Sequence, residues 1–254
     1  MKDNFLISTG GSGGHVIPAT ILYKHLSKDA NVKISTDKRG LNFLDNNFDE
    51  LLIIDTPKLS NIFFLPLNII LIFSLTIKSF FLLKKHKIRK VISTGGYMSL
   101  PIIIAAKILS LKIFLFEPNH VLGRANKFFL SSCKKIFCYS ENIKNFPEKF
   151  INKIIRIDPL VNKNIYESLN SNLEKKKFNI LIVGGSQSAK IFDESLKNLL
   201  IEISKKIPIK IFHQTSKTNI SHLQNFYYEN NVENVIFNFD KNFTKTIAQA
   251  DLCI

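Results

Sequence analysis

A glycine-rich turn that ends in a histidine is the part of this 254-residue sequence best suited to chemistry. The apolar segment 4–9 leads into residues 10–15, which read Gly-Gly-Ser-Gly-Gly-His, and a helical pattern follows from Val16 to Leu26. Glycine lets a ligand approach backbone N–H groups closely, and the N-terminus of a helix attracts phosphate. Histidine exchanges protons readily near neutral pH, so His15 is a candidate general base. We therefore expect chemistry on a phosphorylated substrate.

The same arrangement of an apolar segment and a glycine pair occurs twice more. Residues 95–99 read Gly-Gly-Tyr-Met-Ser and follow the segment 90–94, while residues 184–189 read Gly-Gly-Ser-Gln-Ser-Ala and follow the segment 178–183. Turns at the carboxyl ends of parallel strands are where open α/β sheets bind ligands. The repeated turn therefore predicts a phosphate or nucleotide site.

The elements that must position these turns are parallel strands. Short apolar runs alternate with helical patterns, which is typical of a doubly wound α/β sheet. In the first part of the chain, strands are predicted at 4–9, 31–36, 51–54, 90–94, 112–116, 135–139 and 153–157. Further on, strands are predicted at 178–183, 208–213 and 234–237, with helices at 188–204, 217–228 and 242–249.

A break in this alternation predicts two domains. Residues 1–160 form the first Rossmann-like domain, the polar residues 161–177 form a linker, and residues 178–254 form the second domain. The last residues, 251–254, have the pattern of another strand. We therefore expect the second sheet to be incomplete and the chain to be truncated.

The charge balance narrows the choice of partners. Lysine and arginine number 35 against 20 aspartate and glutamate, a net charge of +15, and 45% of residues are hydrophobic, which disfavours general disorder. A basic protein suits nucleic acid, an anionic membrane or an acidic substrate. Base readout relies on arginine, and no aromatic-basic interleaving is present, so we expect no nucleic-acid partner. The arginines are Arg39, Arg89, Arg124 and Arg156.

The cysteines do not predict a metal site. Cys133, Cys138 and Cys253 are an odd number, and the first two lack the second pair of ligands that a zinc site needs. We therefore expect no metal ion. Reduced, buried thiols are the simpler interpretation.

A long uncharged segment predicts contact with a membrane surface. No charged residue occurs over 59–77, and a basic cluster follows at 84–90. The length reaches the lower limit for a transmembrane helix, but Pro66 and Asn68 interrupt the run, and strand–helix units continue on both sides. We expect the segment 59–90 to pack partly on the sheet and partly against an anionic membrane. The alternative is a helix buried wholly inside the protein.

Several motifs occur in a fixed order along the chain. They read GGSGGHVIPA at 10–19, GGY at 95–97, EPNHVLGRANK at 117–127, GGSQSA at 184–189 and HQT at 213–215. In this order and at these spacings they resemble motifs of the MurG family, the peptidoglycan N-acetylglucosaminyltransferases that act on lipid I. The resemblance extends over the whole chain.

The resemblance implies a GT-B fold, with two Rossmann-like doubly wound domains of which the second is incomplete here. The family transfers N-acetylglucosamine from UDP-GlcNAc to lipid I, undecaprenyl-diphospho-muramoyl-pentapeptide, with inversion at the anomeric carbon, and forms lipid II. It needs no cofactor beyond the donor. The polyprenyl-diphosphate acceptor binds the first domain, so we expect a peripheral protein on the cytoplasmic face of the bacterial inner membrane, acting in cell-wall synthesis, cell shape and cell division.

The matching positions carry the family's site residues onto this sequence. His15 is the expected catalytic base, and Glu117 is assigned no catalytic role. Contacts with UDP-GlcNAc and substrate are expected from Ser12, Gly13, Gly14, Asn119, Ser186 and Gln187. Contacts with the acceptor diphosphate are expected from Gly11, Gly95, Gly96 and Tyr97. Structural alternatives remain open: packing at a helix start for His15, a loop turn for Asn119, and a core contact for Tyr97.

Some positions depart from the family pattern. Ser12 stands where the family usually has threonine and keeps the hydroxyl, whereas Ser188 replaces a glycine of the third turn. Asn162 stands where the family has an arginine expected to meet the donor phosphates, and it cannot supply that charge. The family also continues beyond the position of residue 254, and that part carries much of its donor site.

Two other functions fit the same motifs. A related sugar-nucleotide transferase would act on a neutral lipid such as diacylglycerol. A membrane-surface protein would bind a lipid-linked diphosphate without transferring sugar. Activity on a lipid without diphosphate would indicate the first, and acceptor binding without UDP release would indicate the second.

Overall fold

Alternating strands and helices build two α/β units, Met1–Leu160 and Val161–Ile254. The structure is a computed structural model that describes residues 3–44, 51–57, 65–161, 177–184, 191–240 and 243–254. Each unit has its own parallel sheet and its own hydrophobic core.

The first unit contains a sheet of seven strands in the order β3-β2-β1-β4-β5-β6-β7, with every neighbouring pair parallel. Sequential strands run outward from β1 to one side, and the chain then returns to place β4 on the other side. The strand order therefore reverses between β1 and β4, which is where sheets of this kind bind ligands. The strands are β1 (Asn4–Ser8), β2 (Asn31–Thr36), β3 (Leu51–Ile53), β4 (Lys90–Ser93), β5 (Lys112–Glu117), β6 (Lys135–Cys138) and β7 (Ile154–Arg156).

Helices cover both faces of this sheet, because side chains alternate between the faces along each strand. Leu6 and Val91 belong to the core that includes residues of α2 and α3, whereas Ile7 and Ile92 belong to the core under α1. The helices are α1 (Gly13–Leu26), α2 (Leu65–Lys85), α3 (Leu100–Ile108) and α4 (Arg124–Phe129), with 3-10 turns at Gly40–Phe43, Tyr97–Ser99 and Glu148–Lys153.

The carboxyl ends of β1, β2 and β4 share one tripeptide, Ile-Ser-Thr, at 7–9, 34–36 and 92–94. The register aligns Ser8 with Ser35 on one side and with Ser93 on the other. All of these hydroxyl side chains are buried. A row of small polar residues therefore marks the edge of the sheet at which the first two glycine turns begin.

The second unit repeats this architecture with fewer strands. Its sheet has the order β10-β9-β8-β11, all parallel, so that the first strand again lies between the second and the fourth. Residues 191–195 are also helical. The elements are β8 (Phe178–Ile182), α5 (Lys197–Ser204), β9 (Ile209–Gln214), α6 (Ile220–Glu229), β10 (Glu233–Phe237), α7 (Phe243–Gln249) and β11 (Leu252–Cys253).

The predicted strands are all present, with ends that differ by one or two residues, and the strand pattern at 251–254 is confirmed as β11. Most of the predicted linker, at 162–176, lies outside the described residues. Cys133 and Cys138 are buried free thiols, and burial raises the pKa of Cys138 to about 12. The expectation of burial is wrong for Cys253, which is exposed on β11, the edge strand of the second sheet as described.

The helix α2 carries an apolar face that the described residues leave open. By length and composition it could cross a bilayer, since Pro66–Lys85 has a mean hydropathy of 1.9 and only 22% of that stretch is buried. Both of its ends connect to strands of one sheet, and it packs against α3. The alternative of a wholly buried helix is therefore wrong. The exposed apolar side chains are Leu67, Ile69, Ile70, Leu71, Phe73, Ile77 and Phe81. Residues 58–64 lie outside the described part.

Candidate functional site

The first glycine turn connects β1 to α1 and leaves backbone donors unused. Gly10 and Gly11 adopt φ angles of 149° and 76°, and α1 begins at Gly13. The N–H groups of Gly13 and Gly14 lie in the first helical turn, where no intrahelical acceptor exists. Ser12 precedes them as the N-cap residue, but its side chain makes no capping hydrogen bond. Neither N–H group has an acceptor among the described residues, so two donors at a positive helix end are available to an anion.

His15 joins the first glycine turn to the second. Its Nδ1 lies 2.7 Å from the carbonyl oxygen of Thr94, which immediately precedes Gly95. A carbonyl oxygen only accepts hydrogen bonds, so Nδ1 carries a proton, and in the neutral form of the ring Nε2 is the nitrogen with the lone pair. A Cβ placed on Gly95 would lie 3.3 Å from the His15 ring, and one on Gly96 would lie 3.6 Å from it. The half-buried imidazole therefore packs against the second turn, between β1 and β4, with Nε2 as its basic nitrogen.

The buried carboxylate of Asp37 holds the first glycine turn through a hydrogen bond to its backbone. Asp37, which follows β2 and is fully buried, accepts hydrogen bonds through Oδ1 from the N–H groups of Gly11 and Gly40, at 2.8 and 2.9 Å. The N–H of Gly11 is thus directed at Asp37 rather than at a phosphate. Arg39 donates through Nε and Nη2 to Oδ2 of Asp37, and its guanidinium lies 4.9 Å from the centre of the Tyr97 ring.

A second buried carboxylate, Glu117, organises the loop after β5. Its Oε1 accepts from the backbone N–H and the Nδ2 of Asn119, and its Oε2 accepts from the N–H of Gly123 and the Nδ2 of Asn126. Because the amide nitrogen of Asn119 is held by Glu117, its Oδ1 is the group turned toward a possible ligand, and the residue is exposed. Asn126 also lies beside Gly95, since a Cβ there would come within 3.3 Å of its Nδ2.

The second unit contains a buried network at the carboxyl end of β9. Asp193 accepts hydrogen bonds through Oδ2 from Thr215 at 2.6 Å and Asn219 at 2.7 Å. Its Oδ1 lies 3.2 Å from Nε2 of the fully buried His213. Gly184 is described at the end of β8, but Ser186, Gln187 and Ser188, and also Asn162, lie outside the described residues.

Sequence reasoning missed Asp37 and Arg39 and gave Glu117 no part in the site. Asp37 directly follows a predicted parallel strand, so a search for acidic and basic residues just after strand ends would have found the pair. The acceptor that fixes His15 is the backbone carbonyl of Thr94, 79 positions away, which no side-chain pattern reports. The structure brings His15, Gly95, Gly96 and Asn126 together, whereas Asn119 contacts Glu117.

Two parallel sheets that each place their first strand between the second and the fourth, with a glycine turn after the first strand of the first sheet, define a protein of the nucleotide-binding α/β class. The chain belongs to glycosyltransferase family 28. The N-terminal domain profile of that family matches residues 5–138, and its C-terminal domain profile matches residues 179–254. The resemblance to MurG proteins is confirmed by the relatives.

Relatives named UDP-N-acetylglucosamine–N-acetylmuramyl-(pentapeptide) pyrophosphoryl-undecaprenol N-acetylglucosamine transferase match the whole chain. That of Pelagibacter ubique is 48% identical over 255 residues and is itself covered to 72%; that of Rickettsia canadensis is 33% identical and covered to 73%. The crystal structure of Acinetobacter baumannii MurG has a TM-score of 0.66 and 26% identity, covering 99% of this chain and 72% of its own. A UDP-GlcNAc 2-epimerase from Neisseria meningitidis shares the fold, with a TM-score of 0.67 and 15% identity over 98% of this chain and 76% of that one.

Proposed function

We propose that this protein transfers N-acetylglucosamine from UDP-GlcNAc to the muramyl-pentapeptide of a pyrophosphoryl-undecaprenol acceptor, as the names of its relatives state for them. The transfer inverts the anomeric carbon, converts lipid I to lipid II and supplies peptidoglycan synthesis. The observation that carries the proposal is the geometry of His15, a histidine with a fixed tautomer between two glycine turns.

His15 acts as the general base in this proposal. The acceptor hydroxyl oxygen forms a bond to the anomeric carbon of the donor sugar, the bond from that carbon to the UDP oxygen breaks, and UDP leaves with the electron pair. Nε2 of His15 takes the hydroxyl proton. The Thr94 carbonyl keeps the proton of Nδ1 in place and stabilises the imidazolium that forms, as a hydrogen-bond acceptor beside a general base does.

Backbone donors around His15 hold phosphate in this proposal. The free N–H groups of Gly13 and Gly14 and the positive end of α1 favour the acceptor diphosphate, with Gly95, Gly96 and Tyr97 lining the other side. Ser12 and Asn119 offer a hydroxyl and an amide oxygen to the sugars. On the second unit, Ser186 and Gln187 are the proposed donor contacts, and the donor itself is the nucleotide, so no further cofactor is invoked.

The exposed face of α2 provides the proposed contact with the membrane. Its apolar side chains Ile70, Phe73 and Phe81 are 65%, 67% and 64% exposed, and the basic residues Lys84 and Lys85 lie in its last turn. Apolar groups enter the interface while lysines meet anionic head groups. We therefore infer peripheral attachment to the cytoplasmic face of the inner membrane, where a lipid-linked acceptor is found.

The decisive experiment measures UDP release from UDP-GlcNAc in the presence of a lipid I analogue, with the full-length Pelagibacter ubique relative as the positive control. We expect release by this chain when it is extended through the rest of the second domain, and a loss of about 10²–10⁴-fold when His15→Ala is made in that extended protein. His25→Ala is the matched control, because His25 is exposed at the other end of α1. Acceptor binding without UDP release by the extended protein, or turnover of its His15→Ala variant within a few-fold of the parent, would contradict the proposal.

Vesicle flotation tests the membrane contact separately. Ile70→Glu places a charge on the exposed face of α2 and is expected to reduce binding to anionic vesicles. Ile207→Glu, an equally simple change at an exposed isoleucine of the second unit, is the control. Equal binding of the parent to anionic and neutral vesicles would contradict the electrostatic part.

A further inference from the structure

Arg39 crosses the end of β1, where the first glycine turn lies. Asp37 and Arg39 follow β2, Tyr97 follows β4, and β1 lies between those two strands in the sheet. Arg39 nevertheless contacts both its neighbour Asp37 and the ring of Tyr97. The contact between Arg39 and Tyr97 therefore spans the carboxyl end of β1, from the side of β2 to the side of β4.

Arg39 also cancels a charge that would oppose phosphate binding. The Asp37 carboxylate is fully buried directly against Gly11, so without a counter-charge it would repel an anion held by the same turn. Partial burial disfavours the charge of Arg39, but its hydrogen bonds to Asp37 outweigh this and hold the pKa of the guanidinium above its ordinary value. The two residues therefore form an ion pair at the site, in which both groups are charged and the charges cancel.

Part of the guanidinium remains free to bind a ligand. Nε and Nη2 donate to Asp37, Tyr97 also interacts with the guanidinium, and no hydrogen bond from Nη1 to a carboxylate or a backbone oxygen is found among the described residues. The side chain is 33% exposed. Guanidinium groups bind phosphate through planar pairs of N–H donors, and stacking on Tyr97 fixes the plane of this one.

We propose that Arg39 binds a diphosphate over the first glycine turn, with Asp37 as the positioning residue that holds both the turn and the arginine. The inference rests on the proposed function, in which that turn receives a diphosphate substrate. The diphosphate belongs either to the prenyl-linked acceptor or to the nucleotide sugar. The N–H groups of Gly13 and Gly14 bind it from the helix end, and the free edge of Arg39 binds it from the side of β2.

Binding measurements test this without requiring turnover. Titration calorimetry with the 254-residue chain compares farnesyl diphosphate, farnesyl monophosphate and UDP-GlcNAc as probes. Arg39→Gln is expected to weaken the binding of a diphosphate probe about 10–100-fold, and Arg39→Lys less, because lysine keeps the charge but loses the planar pair of donors. The control is Arg156→Gln, an exposed arginine on β7, which is the fourth strand from β1.

The arms of the experiment separate the possible sources of the diphosphate. Weaker binding of farnesyl diphosphate with unchanged UDP-GlcNAc binding assigns Arg39 to the acceptor, and the reverse assigns it to the donor. Either result supports the proposal. Affinities of both probes within twofold of the parent, in an Arg39→Gln protein with an unchanged unfolding midpoint, would overturn it. A parent that binds diphosphate, while the version extended through the rest of the second domain releases no UDP, would reject the proposed transfer and leave the role of Arg39 intact.

A charge-removal test addresses directly whether Arg39 neutralises Asp37. In Asp37→Asn/Arg39→Gln the buried negative charge is gone, and the asparagine oxygen still accepts from the turn. We expect diphosphate binding to recover several-fold relative to Arg39→Gln alone, and the salt dependence of binding to fall. Weaker binding in the double variant than in Arg39→Gln would show that Asp37 does not oppose the anion.

Discussion

Each unit places a histidine near the carboxyl edge of its sheet, but the two histidines lie in opposite environments. His15 lies in α1, just after β1, and His213 lies in β9. His15 is half-buried, is fixed by one backbone carbonyl and keeps the lone pair of Nε2. His213 is fully buried, with Nδ1 3.1 Å from the hydroxyl of Tyr227 and Nε2 3.2 Å from Asp193. The first histidine is suited to accept a proton from a ligand, and the second is enclosed by protein side chains on both sides.

The difference shows that hydrogen-bond partners, rather than residue type, decide what a histidine does. Burial lowers the pKa of His213, and the nearby Asp193 offsets this only in part, so the ring stays neutral under ordinary conditions. Burial also raises the pKa of Tyr227, so its hydroxyl keeps its proton, and this hydroxyl lies at hydrogen-bond distance from Nδ1 of His213. His213 therefore connects β9 to α6 and holds structure, whereas His15 is available for chemistry.

The largest expected effect is on stability, at the carboxylate of the buried network. Asp193→Ala removes the carboxylate that accepts hydrogen bonds from Thr215 and Asn219 and lies beside His213, and we expect a loss of about 3 kcal/mol in the free energy of unfolding of the second unit. Urea unfolding followed by circular dichroism measures it. Glu194→Ala, at the exposed neighbouring position, is the control and is expected to have little effect. A loss below about 1 kcal/mol in Asp193→Ala would mean that the network does not stabilise the fold.

The next prediction disturbs His15 through its packing. Gly95 has φ of +92°, and a Cβ there would lie 3.3 Å from both the His15 ring and Asn126. Gly95→Ala should displace the imidazole and lower turnover about 100-fold, because misplacement by about 1 Å costs that much. UDP release is measured beside the unfolding midpoint. Turnover within threefold of the parent, in a folded variant, would show that the position of His15 against the second turn is not critical.

A smaller loss of stability is expected when the hydroxyl of Tyr227 is removed and its ring is kept. Tyr227→Phe keeps the buried aromatic contacts but removes the donor to Nδ1 of His213, and we expect a loss of about 1 kcal/mol. The matched control is Tyr228→Phe, since that hydroxyl belongs to a side chain that is 79% exposed. Equal stability of both variants would remove Tyr227 from the network.

The last prediction concerns how the stability of the second unit changes with pH. Because the pKa of His213 is lowered in the folded state, the unfolded state binds more protons once the pH falls below about 6.5. The stability of the second unit should therefore be fully present above that pH and decline as the pH falls through the folded pKa. His213→Asn should lessen this decline, measured as urea midpoints at pH 7.5 and 5.5. An unchanged pH dependence in His213→Asn would assign the decline to other groups.

The strands could be predicted from the sequence for identifiable reasons. Apolar runs that end in glycine pairs indicate a strand, so β1, β4 and β8 were predicted, and the structure shows glycine turns after β1 and β4. Contacts between distant positions leave no such pattern. The Arg39–Tyr97 contact depends on strand order. The residues follow β2 and β4, and those strands are close in space because both pair with β1. For the same reason the role of Glu117 could be recognised only from the structure. Its four hydrogen bonds hold two asparagine side chains and two backbone N–H groups.

The path of α2 has a kinetic consequence. The helix connects the carboxyl end of β3 to the amino end of the parallel β4, so it runs opposite to the strands, and Leu67 and Ile70 lie in its first turns, at the edge of the sheet that carries the glycine turns. A protein held on this face keeps that edge at the level of the lipid head groups. If the proposed membrane contact forms, the proposed acceptor arrives by lateral diffusion in two dimensions, and the rate depends on the number of acceptors per lipid rather than on their concentration in the surrounding volume.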